Sequence, residues 1–373
     1  MSDPDLLIVG ASARAASFSA RFAGYSPIWI DQYADFDLQR HFPGRKVMAS
    51  RYPQDIVNLA SSLHSMPFIY TGAMENHLQV LEQLQTRHQL LGNSAEICRA
   101  VRNPQLLADC WERAGVTYPK IPGAATPVPE GTWLMKPVHG SGGQGIRTYQ
   151  VETLFSEDEY YLQQYIRGES RAGVFVGNGQ SSCFIGVTQQ LIGEEFLNAG
   201  KYSYCGSIGP LEIDPVEDDQ WRALGDSLCH SFSLKGIFCV DAIRCEDNIY
   251  PVEVNPRYSA SIEVLERACD LPLLRLHHQA CEGDLNFQVK TPRRTIAKAY
   301  LFADARLRSP REISSIYTDT INISETADIP MPGSIIEQGH PVMTVLAEAV
   351  DADTALEELK SRARRYYGYF GRI

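Results

Sequence analysis

The pattern of hydrophobic and polar positions alternates strands with helices from the beginning of the chain. Residues 6–10 form a short apolar run that ends in glycine, and the small residues of 13–22 follow it with helical spacing. Further apolar runs of strand length lie at 27–31 and 66–70. Strand, helix and strand in this order predict a Rossmann-like parallel sheet over residues 1–95.

The first turn of this sheet resembles a dinucleotide-binding turn in part. Gly10 begins the turn, and Asp31 lies about twenty residues further on, where such a fold places the acid that binds a ribose. Ser12 and Ala15, however, stand at the positions of the second and third glycines of that fingerprint. The pattern therefore favours a Rossmann-like domain that does not bind a dinucleotide.

A polar segment at 71–77 follows the third apolar run. It lies at the carboxyl end of a predicted strand, where open α/β sheets bind their ligands. Capping of the next helix by Asn76 is the alternative role for this segment. The sequence leaves both roles open.

Residues 238–257 predict a β-hairpin with an unusual distribution of charge. If its turn is centred on Asp247, Asp241 lies directly opposite Glu253, and Asn255 shares the face of Glu253. Facing carboxylates repel each other unless a cation lies between them, and Mg²⁺ prefers carboxylate and amide oxygens. The hairpin therefore indicates a magnesium site, with a solvent-exposed acidic hairpin as the alternative.

Composition limits the classes of protein to which the chain can belong. Its 373 residues exceed one typical core, and 44% hydrophobic with 21% charged residues describe a globular protein. A net charge of -11 argues against a nucleic-acid partner. Nine cysteines without a CxxC pair, an acidic N-terminus and the lack of a membrane-length apolar run predict a cytoplasmic protein with small-molecule partners and no membrane contact.

A glycine-rich segment follows the predicted strand 133–137, which carries Lys136 near its end. Residues 140–145 contain four glycines, whose backbone N–H groups can converge on phosphate oxygens while Lys136 supplies a positive charge. A flexible hairpin turn is the alternative for such a segment. The adjacent lysine favours a nucleotide phosphate site.

The order of these motifs resembles the ATP-grasp superfamily, in particular a carboligase-like branch related to biotin carboxylase and D-alanine ligase. Strand-Lys-Pro, the glycine loop, the QQYIRGE segment 163–169, a Val-Asp pair and ExNPR follow one another across about residues 95–290. The resemblance implies a combined α/β and α+β protein with the ATP-grasp fold. The implied parts are a Rossmann-like pre-ATP-grasp domain (1–95), the ATP-grasp domain (96–290, with a lid at about 120–170) and a small β-rich C-terminal subdomain (291–373).

The resemblance also implies roles for particular residues. Arg257 and Lys136 would act on the transferred phosphate, and Asp241, Glu253 and Asn255 would hold Mg²⁺ or Mn²⁺. The residues implied to contact ATP are Lys136, Gly140, Ser141, Gly142, Gly143, Gln163, Gln164, Tyr165, Ile166 and Glu169.

Three segments leave questions open. The lysine that relatives carry after the N-terminal domain is absent at 103–105, and Arg99 or Arg102 are candidates to replace it unless they are merely solvated. Gln163 stands where many relatives have glutamate, which leaves the adenine contact open. The glycine- and proline-bearing segment 201–210 predicts a turn of unassigned role.

The function implied by the resemblance is ATP-dependent carboxylate–amine ligation, in the making of a cofactor or an amino-acid conjugate. It would proceed through an acyl phosphate and release ADP and phosphate. The alternatives are a small-molecule kinase on the same fold and a non-catalytic ATP-binding regulatory protein. The sequence does not identify the substrates or the pathway, and a homodimer is one of the assemblies that it allows.

Overall fold

Five parallel strands form the N-terminal sheet, in the order β3-β2-β1-β4-β5. The computed structural model describes residues 4–122, 128–150, 153, 155–317 and 324–373. The central strands are buried on both faces by helices, which explains their continuous apolar runs. The strands are β1 (Asp5–Gly10), β2 (Ser26–Asp31), β3 (Gly44–Lys46), β4 (Pro67–Tyr70) and β5 (Gln89–Leu90).

Helices connect these strands and cover the sheet. The first begins at Arg14, one residue later than its pattern predicts, and its small residues pack closely on the sheet. The helices of this part are α1 (Arg14–Phe22), α2 (Phe36–His41), α3 (Asp55–Ser61), α4 (Leu78–Gln85) and α5 (Ala95–Val101).

A small antiparallel sheet follows, in the order β7-β6-β8, and carries the glycine loop. Trp133, Met135 and Leu162 form a separate small core beneath it. Residues 123–127, 151–152 and 154 of the predicted lid lie outside the described residues. The strands are β6 (Trp133–Pro137), β7 (Arg147–Thr148) and β8 (Tyr160–Gln164).

An eight-stranded sheet forms the centre of the protein, in the order β13-β12-β9-β10-β11-β14-β18-β16, and all its paired strands are antiparallel. A three-stranded sheet, β17-β15-β19, lies beside it. The strands are β9 (Glu169–Asn178), β10 (Ser182–Ile192), β11 (Tyr204–Gly209), β12 (Lys235–Cys245), β13 (Asn248–Asn255), β14 (Thr295–Phe302), β15 (Leu307–Arg308), β16 (Thr326–Ala327), β17 (Ile335–Ile336), β18 (Pro341–Ala349) and β19 (Gly371–Arg372).

This sheet revises two expectations. The segment 201–210 is mostly strand β11 rather than a turn. Strands β14, β16 and β18 come from the predicted C-terminal subdomain, yet they extend the central sheet. The predicted domain boundaries at 95 and 290 stay predictions.

Five further helices pack on the central sheet and its edges. Asn103 caps α6, since its side-chain oxygen accepts from the N–H groups of Gln105 and Leu106. None of the described helices is long and apolar enough to cross a membrane. The helices are α6 (Pro104–Arg113), α7 (Pro215–Phe232), α8 (Ala260–Cys269), α9 (Leu273–Cys281) and α10 (Ala352–Tyr367).

One hydrophobic core joins the N-terminal sheet to the central sheet. Ala16 and Ala20 of α1 belong to the same buried cluster as Ile262 and Leu265 of α8. This packing brings the carboxyl ends of β1 and β4 close to the end of β13, where the candidate site lies.

Candidate functional site

The hairpin of β12 and β13 places Asp241 directly opposite Glu253, as predicted from their equal distances to Asp247 in the sequence. The route to this register differs from the expected one. The loop has two residues, since Cys245 pairs with Asn248, and a β-bulge then leaves Val252 without a partner in the ladder. The bulge shifts the register by one residue and so compensates for the turn, which is not centred on Asp247.

Asp241 is held among polar groups at the end of the hairpin. Its Oδ1 accepts a hydrogen bond from Gln190 Nε2 at 3.0 Å, and its Oδ2 accepts one from Asn255 Nδ2 at 3.1 Å. Burial, followed by the charge of Glu253, raises the pKa of Asp241 to about 7. The hairpin therefore brings Asp241, Glu253 and Asn255 together, and the pair of carboxylates is costly to ionise without a cation.

The donor set of this cluster fits a hard divalent cation. No group of three or more His, Cys, Asp or Glu side chains arranged to hold a metal occurs in the described residues. The candidate site thus consists of two carboxylates and one amide oxygen. Mg²⁺ typically takes one or two carboxylates and completes its shell with water and phosphate oxygens. The metal-binding role of these residues stays a prediction.

Lys136 reaches the same hairpin from the lid. Its Nζ donates to Gln163 Oε1 at 3.2 Å and to the carbonyl of Val252 at 3.4 Å, and lies 5.7 Å from the centre of the Tyr161 ring. Burial disfavours the charged ammonium, but Tyr161 and Glu253 outweigh it and raise the pKa of Lys136. The acceptor carbonyl belongs to Val252, the residue that the bulge leaves without a partner. Bulges are frequent next to functional sites.

The glycine loop folds onto the residues just before β11. The N–H of Tyr204 donates to the carbonyl of Gly142 at 3.1 Å. Gly143 has a φ of +79°, and a Cβ there would collide with the carbonyl oxygen of Tyr202. Only glycine therefore fits at this contact. Gly140, Ser141 and Gly143 line a cavity together with Lys136, Gln163 and Glu253.

Arg257 is bound by a carboxylate from the N-terminal sheet. Its Nε donates to Glu75 Oε2 at 2.7 Å, and its Nη2 lies 2.7 Å from Glu75 Oε1. The Nη2 also donates to Asn255 Oδ1 at 3.3 Å, and the Nη1 donates to the carbonyl of Tyr258 at 3.2 Å. Glu75 belongs to the polar segment 71–77, but no sequence pattern indicates that it contacts Arg257.

The neighbouring Asn76 does not cap a helix, so that alternative is wrong. Helix α4 has His77 at its N-cap position, without a side-chain cap. Asn76 Nδ2 instead donates to the carbonyl of Gly140 at 3.3 Å. The segment therefore contacts the glycine loop.

Of the two arginines considered for the missing lysine, only Arg102 lines this cavity. Its Nη2 donates to the carbonyls of Gly140 at 3.1 Å and Val138 at 3.3 Å. Arg99 has a side chain that is 63% exposed and pairs with Glu82 at 3.5 Å. A second cavity, of about 710 Å³, adjoins the first, and Arg102 and Tyr161 line both.

The part of the chain that carries the lysine, the glycine loop and the acidic hairpin is similar to known proteins. Residues 103–261 match a family model described as the ATP-grasp domain. This chain contains an ATP-grasp domain. An uncharacterized protein of Methanocaldococcus jannaschii is 27% identical over 230 residues, which are 58% of this chain and 51% of that protein. The chain thus spans about half the length of this curated relative.

Solved structures confirm the predicted ATP-grasp fold. Biotin carboxylase from Campylobacter jejuni, in a complex with β-γ-ATP, aligns with a TM-score of 0.73 at 13% identity, over 95% of this chain and 90% of that one. A phosphoribosylamine–glycine ligase from Thermotoga maritima aligns with a TM-score of 0.71 at 14% identity, over 98% and 97%. At these identities the likeness concerns the fold alone.

Only part of the segment 163–169 lies at the cavity. Among the described residues that line the cavity, Gln163 is present, while Gln164, Tyr165, Ile166 and Glu169 are not. Gln164 Oε1 accepts from the N–H of Lys120 at 3.2 Å, and Glu169 Oε2 accepts from Arg171 Nη2 at 3.0 Å. Tyr165 is 44% exposed. Their adenine and ribose contacts stay predictions.

Asp31 does not have the position of a free ribose-binding acid. Its carboxylate is buried and accepts hydrogen bonds from the N–H groups of Ala13 and Ala34. These contacts fix the turns that follow β1 and β2. The prediction that this sheet binds no dinucleotide stays a prediction.

Proposed function

We propose that this protein is an ATP-dependent ligase that joins a carboxylate to an amine and releases ADP and phosphate. The observation that carries the proposal is the contact between Lys136 and the carbonyl of Val252, the residue next to Glu253. Phosphates bound by the lysine would lie beside the acidic hairpin. The ATP-grasp domain and a structural neighbour named as a phosphoribosylamine–glycine ligase support ligation.

The proposed reaction has two steps. A carboxylate oxygen of the first substrate attacks the γ-phosphorus of ATP, and the bond from that phosphorus to the bridging oxygen of ADP breaks. The amine nitrogen of the second substrate then attacks the acyl carbon, inorganic phosphate leaves, and the nitrogen loses a proton. Such phosphoryl transfer depends mainly on positioning and on electrostatic stabilisation.

The side chains of the site suit these requirements. Lys136 would neutralise part of the phosphate charge, and Arg257 would stabilise the charge that develops on the transferred group. The glycine loop would exclude water from the acyl phosphate. A divalent cation held by Asp241, Glu253 and Asn255 would supply further neutralisation of the triphosphate.

The test is a screen of carboxylate and amine pairs for ADP release. In the presence of hydroxylamine, the correct carboxylate should yield a hydroxamate, because hydroxylamine traps the acyl phosphate. Release of AMP instead of ADP would contradict the proposed chemistry. A kinase on the same fold that phosphorylates a hydroxyl group would release ADP without need of an amine and would give no hydroxamate.

A variant of the acidic hairpin distinguishes an enzyme from an ATP-binding regulatory protein. Glu253→Gln should abolish ADP release, since it removes a carboxylate of the candidate metal site. Glu246→Gln is the matched control in the same hairpin, because Glu246 lies in the exposed loop. A parent protein that binds ATP and releases no ADP with any pair would favour the regulatory alternative.

A further inference from the structure

Three side chains of the N-terminal part converge on the segment that follows β13. Asn93 Nδ2 donates to the carbonyl of Pro256 at 3.0 Å, and the Tyr70 hydroxyl donates to the same carbonyl at 3.3 Å. Glu75 binds the side chain of Arg257, the next residue. These contacts join residues that are more than 160 positions apart in the chain. The proposed reaction assigns no role to Tyr70, Glu75 or Asn93.

Glu75 is the only charged member of the three, and it meets two arginines. Its side chain is 1% exposed, and its Oε1 lies 2.7 Å from Arg257 Nη2 and 3.2 Å from Arg102 Nη1. Burial disfavours the carboxylate, but Arg257 and Arg102 outweigh it and lower the pKa of Glu75. The carboxylate is therefore ionised at neutral pH and lies between two guanidinium groups.

The two arginines point to different parts of the site. Arg257 donates to Asn255 Oδ1, which belongs to the candidate metal cluster. Arg102 donates to the carbonyl of Gly140 in the glycine loop, and Asn76 donates to that same carbonyl. A continuous series of contacts thus runs from the metal cluster through Glu75 to the glycine loop.

We propose that Glu75 is a positioning residue of the nucleotide site, where one buried carboxylate orients Arg257 beside Asn255 and Arg102 beneath the glycine loop. The physical reason is charge and geometry together. The Arg257 Nε–H donates to one oxygen of the carboxylate, and both guanidinium groups pair by charge with the other oxygen. Without Glu75, two buried cations would face each other without a compensating charge, and each would keep only its neutral acceptors.

The first test is kinetic and rests on the proposed ligase function. Glu75→Gln replaces one acceptor oxygen with an NH₂ group that meets an arginine N–H. It should lower kcat by about 100-fold, the order of loss that a small misplacement causes, and leave the KM for ATP close to that of the parent. Glu82→Gln is the matched control, since Glu82 pairs with an exposed arginine.

Two further variants separate positioning from a general loss of structure. Glu75→Asp keeps the charge and should recover part of the lost kcat. The double variant Glu75→Gln/Arg257→Lys should lose less activity than the product of the two single losses, because Glu75 acts partly through Arg257. Additive losses, or a Glu75→Gln variant that behaves like Glu82→Gln, would overturn the proposal.

A measurement without turnover keeps this inference distinct from the proposed function. The Nε–H signal of Arg257 in a ¹H–¹⁵N NMR spectrum, assigned by its loss in Arg257→Lys, should shift in Glu75→Gln and remain in place in Glu82→Gln. An unshifted signal would refute the orienting contact even in a protein with full activity. A parent that releases no ADP, but shows the shift, would refute the ligase function and leave the contact standing.

Discussion

Single residues in this protein take part in the site through partners that are distant in the sequence. The sequence predicted that Lys136 lies near the end of a strand and before a glycine loop, because a local pattern shows both. It could not predict that the ammonium group binds the carbonyl of Val252, because this contact depends on how the lid docks on another strand. Glu75 was missed for the same reason, since its partner Arg257 lies 182 residues away.

Lys136→Met should weaken the binding of ATP. The change removes a buried positive charge that lies beside the candidate phosphate site, and the loss of a buried charge-assisted contact typically costs about 2–5 kcal/mol. We expect the Kd for ATP with Mg²⁺, measured by titration calorimetry, to rise at least tenfold. Lys290→Met, at an exposed lysine, should bind ATP like the parent. Unchanged affinity in Lys136→Met would remove this residue from the nucleotide site.

At the scale of elements, the hairpin and the lid are joined by side-chain bonds rather than by a shared sheet. The prediction that Asp241 faces Glu253 was right, although it assumed a regular ladder and a turn centred on Asp247. The alternation of apolar and polar residues predicts which face of a sheet each side chain occupies. A bulge inserts a single residue and leaves no clear signal in that alternation. Gln163 Nε2 and Lys136 Nζ both donate to the carbonyl of Val252, the residue at the bulge.

Gln163→Met should loosen the lid from the hairpin. It removes the bonds to Lys136 and Val252 but keeps a side chain of similar length. We expect faster cleavage within the lid in limited proteolysis without nucleotide, because local opening becomes easier by about 1–3 kcal/mol. Gln180→Met, at an exposed glutamine, is the control. Equal cleavage rates in both variants would show that these bonds do not hold the lid.

For the whole molecule, the N-terminal sheet and the central sheet are joined by buried polar contacts as well as by a common core. Arg14 is fully buried and binds Glu263 of α8 and Asp328 near β16, while Lys298 of β14 donates to Glu263 at 2.7 Å. Hydrophobic periodicity predicted the N-terminal parallel sheet. It could not predict how this sheet docks on the central sheet, because the docking contacts involve charged residues that a sequence pattern assigns to the surface.

Arg14→Met should destabilise the protein strongly. It leaves Glu263 and Asp328 as buried carboxylates with less compensation, and removal of one partner from a buried ion pair typically costs about 3–5 kcal/mol. We expect a lower midpoint in urea denaturation. The control is Arg51→Met, because the Arg51 side chain is 70% exposed in its ion pair and should change stability little. A midpoint equal to that of the control would mean that the cluster does not stabilise the docking.

His277 should make stability depend on pH. Its Nδ1 accepts from the N–H of Ile237 at 2.8 Å, its Nε2 lies 3.1 Å from the carbonyl of Leu91, and burial lowers its pKa from 6.5 to about 4. Between these two values the unfolded chain binds a proton that the folded protein does not bind. The free energy of unfolding should therefore fall by about 3 kcal/mol as the pH drops from 6.5 to 4.

The variant His277→Gln isolates this effect from that of other titrating groups. Glutamine can accept from the N–H of Ile237 and donate to the carbonyl of Leu91, but it does not titrate. Urea denaturation at several pH values should show a shallower loss of stability below pH 6.5 in this variant than in the parent. Identical slopes would show that His277 keeps its ordinary pKa in the folded protein.

Gly143 limits the mutational tolerance of the lid. Its positive φ and the contact with the carbonyl of Tyr202 admit no side chain, so every substitution there should prevent full closure. In a library of variants at this position, selection for the proposed ligase activity should recover glycine alone, whereas selection for folding should accept many residues. The contrast between the two outcomes would report lid closure separately from the stability of the protein.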